Sequence, residues 1–409
     1  MRILAFGTYD VRTHPRVGVL LEGLRAEGDQ IVEVNVPLEV DTAARVAMLR
    51  QPWRVPMLGL RLLRCWLVLA VRGRREWRRQ RPDMVLVGYL GHFDVFLARL
   101  LFRRAVIVLD NLVFAAETAT DRGESAAWKV RLLNALDHGA QRRADVVLVD
   151  SEEHAAMVPA ELADRVEVVP VGASAAWFAA GDAVEPPAEP DLLRVVFFGL
   201  FTPLQGAPTI GAALDELADD DRITVTMIGA GQDRAETRQL AAGNERVDWI
   251  DWVPAARLPE VVAGHDVCLG IVGDGPKARR VVPNKVYQGA AAGCAVVTSD
   301  TRPQRAALGD AAVFVPPGDP AALAGALREL AGDGPALEKL RGAARDRARD
   351  RFAPVAVVGT LRRRLSEAVQ PGPAVGAPPG GPVAVPPAPH VAVPPASPVA
   401  VPPLPPGSS

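Results

Sequence analysis

The run Arg194-Val195-Val196-Phe197-Phe198-Gly199-Leu200-Phe201-Thr202-Pro203-Leu204-Gln205-Gly206 carries the reading of the fold. Four consecutive apolar residues end at Gly199, and Gly206 precedes a helical stretch expected over 209–218. Strand, glycine-bracketed loop and helix together make one unit of a parallel sheet covered on both faces. Toward the C-terminus the unit repeats, with strands expected at 223–229, 247–251, 267–272, 295–300 and 312–315 and helices at 258–264, 285–292, 320–331 and 335–351. Toward the N-terminus, Val- and Ile-rich runs predict strands at 2–7, 31–36, 84–89, 105–110, 146–150 and 166–171, with helical stretches such as Pro15 to Glu27 and Ser125 to Arg143 between them. Two series of alternating strands and helices predict an α/β protein of two doubly wound domains with a cleft at their strand carboxyl ends.

The domains are expected at 1–173 and 194–352, joined by a linker over 174–193 and followed by a C-terminal helix over 353–370. The chain has 409 residues and 37 prolines, of which 15 fall in residues 371–409. There Val383-Ala384-Val385-Pro386-Pro387 recurs at 391–395 and 399–403, and no charged residue occurs. Such a segment cannot build a core, so a disordered, polyproline-like tail is expected. The net charge of −2 excludes a general nucleic-acid footprint. Cys65, Cys268 and Cys294 have neither disulfide nor metal spacing and read as buried thiols of a reducing compartment. The first residues read as a strand rather than a leader, and no apolar run is long enough to span a bilayer. A cytoplasmic location follows as the expectation, at most peripheral at the inner face of a membrane.

Three glycine-bearing stretches follow strands of the second domain. Gly199 to Gly206 leads into a helix N-terminus, whose free N–H groups favour phosphate. Gly229-Ala230-Gly231 lets a ligand approach the backbone closely, although a tight turn explains it equally. The most informative stretch is Gly273-Asp274-Gly275-Pro276-Lys277-Ala278-Arg279-Arg280-Val281-Val282-Pro283-Asn284-Lys285-Val286-Tyr287-Gln288, with four cations and one acid ahead of a helix. It suits a diphosphate through point charges and backbone donors together; the plain alternative is a solvated charged loop.

The ordered set of these stretches, with Trp249 to Pro254, Ala290 to Gly293, Val296 to Asp300 and Pro316 to Pro320, resembles the donor half of retaining, two-Rossmann-domain (GT-B) nucleotide-sugar glycosyltransferases. Phe6 to Asp10, Gly91 to Asp94, Ala144 to Ser151 and Val169 to Gly172 resemble the acceptor half more loosely. The resemblance implies sugar transfer from a nucleoside diphosphate sugar to a hydroxyl acceptor on a sugar, a lipid-linked glycan or a small molecule. It implies donor contacts at Gly199, Gln205, Gly206, Gly229, Gly231, Val253, Lys277, Arg280, Asn284, Lys285, Val286 and Gln288. No cofactor or metal is implied beyond the nucleotide sugar as substrate, and Asp219-Asp220-Asp221 reads as a solvated loop.

The sequence departs from the family pattern where Arg280 and Gln288 stand at the two glutamates of Glu-x7-Glu. Leu200 and Gln205 stand at the cations of the first glycine loop. Charge on the leaving diphosphate then falls to Lys285, helped by Lys277, Arg279 or Arg280. His14 and His92 are candidates to polarise an acceptor hydroxyl, Asp110 is a further catalytic candidate, and Tyr9, Asp10 and Asp94 are acceptor-binding candidates. A related epimerase or phosphorylase, or a non-catalytic nucleotide-sugar-binding scaffold, are the rival readings. Finally, Arg54, Arg61, Arg64, Arg72, Arg75 and Arg79 fall on one stripe of a helix expected over 54–79. That stripe suits either an anionic membrane surface or a solvated helix face.

Overall fold

In the computed structural model the described residues are 1–11, 14–38, 55–121, 123–184 and 192–369. Their strands are β1 (Arg2–Gly7), β2 (Gln30–Asn35), β3 (Met84–Val87), β4 (Val106–Asp110), β5 (Val146–Val149), β6 (Val166–Val168), β7 (Leu193–Phe198), β8 (Ile223–Ile228), β9 (Val247–Ile250), β10 (Val267–Leu269), β11 (Ala295–Ser299) and β12 (Ala312–Val315). They form two six-stranded sheets of order β2-β1-β3-β4-β5-β6 and β12-β11-β10-β7-β8-β9. Every pairing is parallel. The cause is visible in the strands themselves: β3, β5 and β11 are buried at every position. Only a sheet with helices on both faces accepts strands that are buried throughout.

In the first sheet the chain reverses its direction of winding beside β1, which has β2 on one side and β3 on the other. In the second it reverses beside β7, between β8 and β10. Ligands of open α/β sheets lodge at such switch points, outside the strand carboxyl ends. The loops after β1 and β3 and those after β7, β8 and β10 are therefore the places to look for a ligand site.

Each sheet has two apolar layers. Leu4, Phe6, Val85 and Ile107 point to one side of the first sheet, with Leu69 and Ala140 of the helices there. Ile3, Ala5, Met84 and Val108 point to the other. That second layer also takes Val357, Val358, Leu361 and Leu365 from the last helix, Pro354–Val369. The chain thus finishes the second domain and returns to the first, where Arg362 pairs with Asp29 at 3.2 Å.

The stretch expected as a linker contains a helix, Ala175–Asp182, with Trp177 stacked on Phe198 of β7. Its far end, like the proline-rich tail and Arg54, lies outside the described residues. Short helices not read from the sequence include Asp94–Leu101, Ala115–Asp121, Arg234–Leu240 and Arg302–Leu308. Among the described residues no helix is long and apolar enough to cross a membrane.

Candidate active site

Three loops of the second domain lie backbone to backbone. Gly229 has φ +129°, and a Cβ there would stand 1.9 Å from the carbonyl oxygen of Gly199. Gly206 has φ +67°, and its Cβ would stand 2.3 Å from the backbone nitrogen of Gly273. Only glycine accepts both the conformation and the approach. The loops are joined further where Gly199 and Phe201 N–H donate to Ile228 and Ala230 carbonyls at 3.0 Å, and Val272 N–H donates to the Gln205 carbonyl at 3.1 Å. Gly206 also opens the helix Ala207–Glu216.

Lys285 sits in the first turn of the helix Asn284–Ala291 and is directed at this junction. Its Nζ is buried without a hydrogen-bond partner, 3.5 Å from the centroid of the Phe197 ring. A Cβ on Gly199 would lie 3.5 Å from Nζ, so the missing side chain leaves the ammonium next to the loop backbone. Burial pulls the Lys285 pKa down from 10.5 to about 7. Below the stem, burial pushes the Cys268 thiol up to about 12. Gln205 and Gln288 are also buried, and the Oε1 of Gln205 has no hydrogen-bond partner. Val286 is buried, whereas Asn284 and Val253 are half-buried. A buried ammonium and a helix start are the donors expected around a diphosphate.

Lys277 and Arg280 are placed differently. Lys277 Nζ donates to Thr118 Oγ1 at 2.9 Å, and Arg280 donates to Glu117 Oε1 at 2.8 Å. Ser151 Oγ donates to the Arg280 carbonyl at 2.8 Å. Both side chains expected to face the donor thus reach across to the first domain, because the helix Ala115–Asp121 presents Glu117 and Thr118 to them. Behind Glu117 stands His154, with Nδ1 2.5 Å from Asp150 Oδ1 and Nε2 3.4 Å from Glu117 Oε2. Burial pulls the His154 pKa down, but Asp150 and Glu117 outweigh it and raise the value to about 9. Burial likewise pushes Glu117 up, and His154 and Arg280 override it, so its pKa falls.

Of the residues expected to serve an acceptor, several turn out to be structural. Asp110 is enclosed with Arg16, whose Nε donates to its Oδ1 at 2.6 Å, and both side chains are fully buried. The catalytic role expected of Asp110 does not fit a carboxyl shut inside the domain. Asp94 accepts from Thr8 N–H at 2.7 Å and Thr8 Oγ1 at 2.8 Å on one oxygen and from Trp66 Nε1 at 2.9 Å on the other. It therefore positions the loop after β1 instead of meeting an acceptor. Tyr9 is buried against Gly88, where a Cβ would stand 2.4 Å from the ring. His92 is buried with Nε2 2.9 Å from Asp137 Oδ1, off the line of a hydrogen bond. Asp137 itself accepts the first N–H groups of the helix Ala115–Asp121. His14 and Asp10 remain half-buried beside the first switch point, and the His14 ring stacks on Tyr89 at 3.9 Å.

A cavity of about 350 Å³ lies at the domain boundary, lined by Asp150, Glu153, Tyr287, Arg302, Arg347 and Phe352 among others. Lys285 is not among its walls, so this cavity and the candidate chemistry are separate. Among the described residues no group of three or more His, Cys, Asp or Glu could hold a metal ion.

Residues 193–333 match the family model described as Glycosyl transferases group 1. HepE of Anabaena, solved in complex with UDP-glucose, has a TM-score of 0.63 and 13% identity, covering 90% of this chain and 100% of that one. Sucrose-phosphate synthase of Thermosynechococcus elongatus has a TM-score of 0.64 and 15% identity, with 90% and 100% covered. A glycosyltransferase of Rickettsia africae has a TM-score of 0.58 and 13% identity, with 90% and 98% covered. A comparison with curated protein sequences finds no match. The fold is GT-B. Within that GT-B frame the matched segment 193–333 contains the glycine junction, Lys285 and Gln288, whereas Glu117, Asp150 and His154 lie outside it.

Sequence reasoning missed Arg16, Glu117 and His154. A signal existed only for His154: Asp150 and His154 are spaced i,i+4 across a strand end and helix start, with Ser151 between them as the cap.

Proposed function

We propose that the protein transfers a sugar from a nucleoside diphosphate sugar to a hydroxyl acceptor. The observation that carries this is the buried Lys285 ammonium without a hydrogen-bond partner at the glycine junction. In the reaction the anomeric C–O bond to the diphosphate breaks, and the nucleoside diphosphate departs with the electron pair. The acceptor oxygen bonds the anomeric carbon and gives up its proton. Lys285 and the N–H groups at the start of the helix Asn284–Ala291 are fixed beside the developing negative charge. Preorganised donors of this kind supply much of the rate enhancement. His14, stacked on Tyr89 and half-exposed, is the candidate to orient the acceptor hydroxyl. We propose retention of anomeric configuration, which the sequence resemblance supports, and no metal, because protein cations serve the diphosphate. UDP-sugars are the first donors to test, given the ligand in HepE.

The test is release of nucleoside diphosphate from a panel of nucleotide sugars offered with hydroxyl acceptors. Release coupled to a glycosylated product supports the proposal; absence of both binding and release across the panel refutes it. His14→Ala should lower turnover while leaving nucleotide affinity near that of the wild type.

A further inference from the structure

The helix Val55–Gln80 has three faces. Leu62, Trp66, Leu69, Gly73 and Trp77 turn inward or are half-buried on the first domain. On a helical projection, Met57, Leu60, Leu63, Leu67 and Val71 form a second band about 120° wide. All five are exposed, from 51% for Leu60 to 72% for Val71. A third band, about 80° wide, carries the exposed Arg61, Arg64, Arg72, Arg75 and Arg79. The helix holds seven arginines against one glutamate. The sequence pattern alone allowed the aliphatic residues to be core; the structure leaves them outside it.

The neighbouring helices extend this surface. Asp94–Leu101 packs against Val55–Gln80, and Gly139 of the helix Ala127–Gln141 faces the Phe96 ring. Leu100 on one, and Trp128 and Leu132 on the other, are each more than half exposed. Of the 16 exposed large apolar side chains among the described residues, 10 lie on or at the start of these three helices, on one side of one sheet. Scattered exposed apolar residues need no explanation, but a concentrated patch does. This one is flanked by arginine, so its partner is apolar in depth and anionic at its surface, which describes a bilayer containing anionic lipid.

We infer that the helical layer built on Val55–Gln80 docks this protein on an anionic membrane surface, with the aliphatic band at the acyl boundary and the arginines at the headgroups. The layer is fixed to the first switch point: Trp66 Nε1 on this helix donates to Asp94, which also accepts from Thr8 just after β1. The inference concerns where the protein rests and does not depend on the proposed activity.

Flotation of the full chain with vesicles tests it, using phosphatidylglycerol mixed with phosphatidylcholine and phosphatidylcholine alone. The expected result is flotation with the mixed vesicles only. Each surface arginine contributes about fivefold in affinity, so R64Q/R72Q/R75Q should bind about a hundredfold more weakly. L63Q/L67Q should also lose flotation. All five positions are exposed, so thermal unfolding of both variants should match the wild type. Equal flotation with neutral vesicles, no flotation with either, or unchanged flotation of both variants would each overturn the inference. So would a dimer in sedimentation that L63Q/L67Q dissociates without any vesicle binding, which would assign the band to a second copy of the chain.

Discussion

Replacing Lys285 by Met keeps the length of the side chain and removes its charge. A lysine pKa brought from 10.5 to about 7 corresponds to about 5 kcal/mol against the charged form in the empty protein. Because the folded pKa lies below the unfolded one, this penalty is complete below pH 7 and fades as the pH rises toward 10.5. Lys285→Met should therefore make the empty protein more stable at pH 6, by about 5 kcal/mol or about 6 °C in Tm, with the gain vanishing at high pH. The same variant should bind nucleoside diphosphates about 10- to 100-fold more weakly, since a hydrogen bond to a charged group is lost. Urea denaturation across pH and titration calorimetry with UDP and other nucleoside diphosphates measure the two halves. Wild-type binding at pH 8 should also take up a proton, visible as a heat that varies with the buffer. A variant that is less stable at pH 6 and binds nucleotide as tightly as the wild type refutes the reasoning.

His154 gives the opposite pH slope. Its stabilisation is complete below pH 6.5 and is lost as the pH climbs through about 9, so in the wild type it offsets the rising Lys285 contribution above pH 7. Lys285→Met should expose a fall in stability over that range and His154→Gln a rise, read from the same urea series. Gly229→Ala should lower stability by about 3 kcal/mol, because its Cβ meets the Gly199 carbonyl oxygen at a positive φ; thermal unfolding measures it. Arg16→Met should cost about 3–5 kcal/mol by leaving the Asp110 carboxyl buried without its partner, and Arg16→Met with Asp110→Leu should recover much of that loss in denaturation experiments.

The architecture was legible because each strand of these sheets is a Val- or Ile-rich run closed by a loop that needs particular residues. Gly199, Gly206 and Gly229 are local necessities of backbone geometry and could be read one residue at a time. Lys285 stood out as one of four lysines in the chain. The partnerships of Asp110, Asp94 and Arg280 were not legible. Arg16 and Asp110 are 94 positions apart, Thr8 and Asp94 are 86, and Glu117 and Arg280 are 163. Nothing in a local pattern names a partner at that distance. The helix Ala115–Asp121, with the sequence AAETATD, lacks the apolar period that marks longer helices. Glu117 consequently went unseen, and with it the reason why the cations at 277 and 280 turn toward the first domain.

That turn bears on the order in which substrates meet. Lys277 and Arg280 leave the second sheet, yet Thr118 and Glu117 hold them in the first domain. A diphosphate that recruits either cation has to take it from there, leaving Glu117 to the protonated His154. The arrival of the donor would in this way be registered in the opposite domain before any bond breaks. We expect a compulsory sequence in the kinetics, with nucleotide sugar first and acceptor second. A dead-end acceptor analogue should then inhibit uncompetitively with respect to the donor, and Glu117→Gln should turn that pattern noncompetitive by loosening the hold on Arg280.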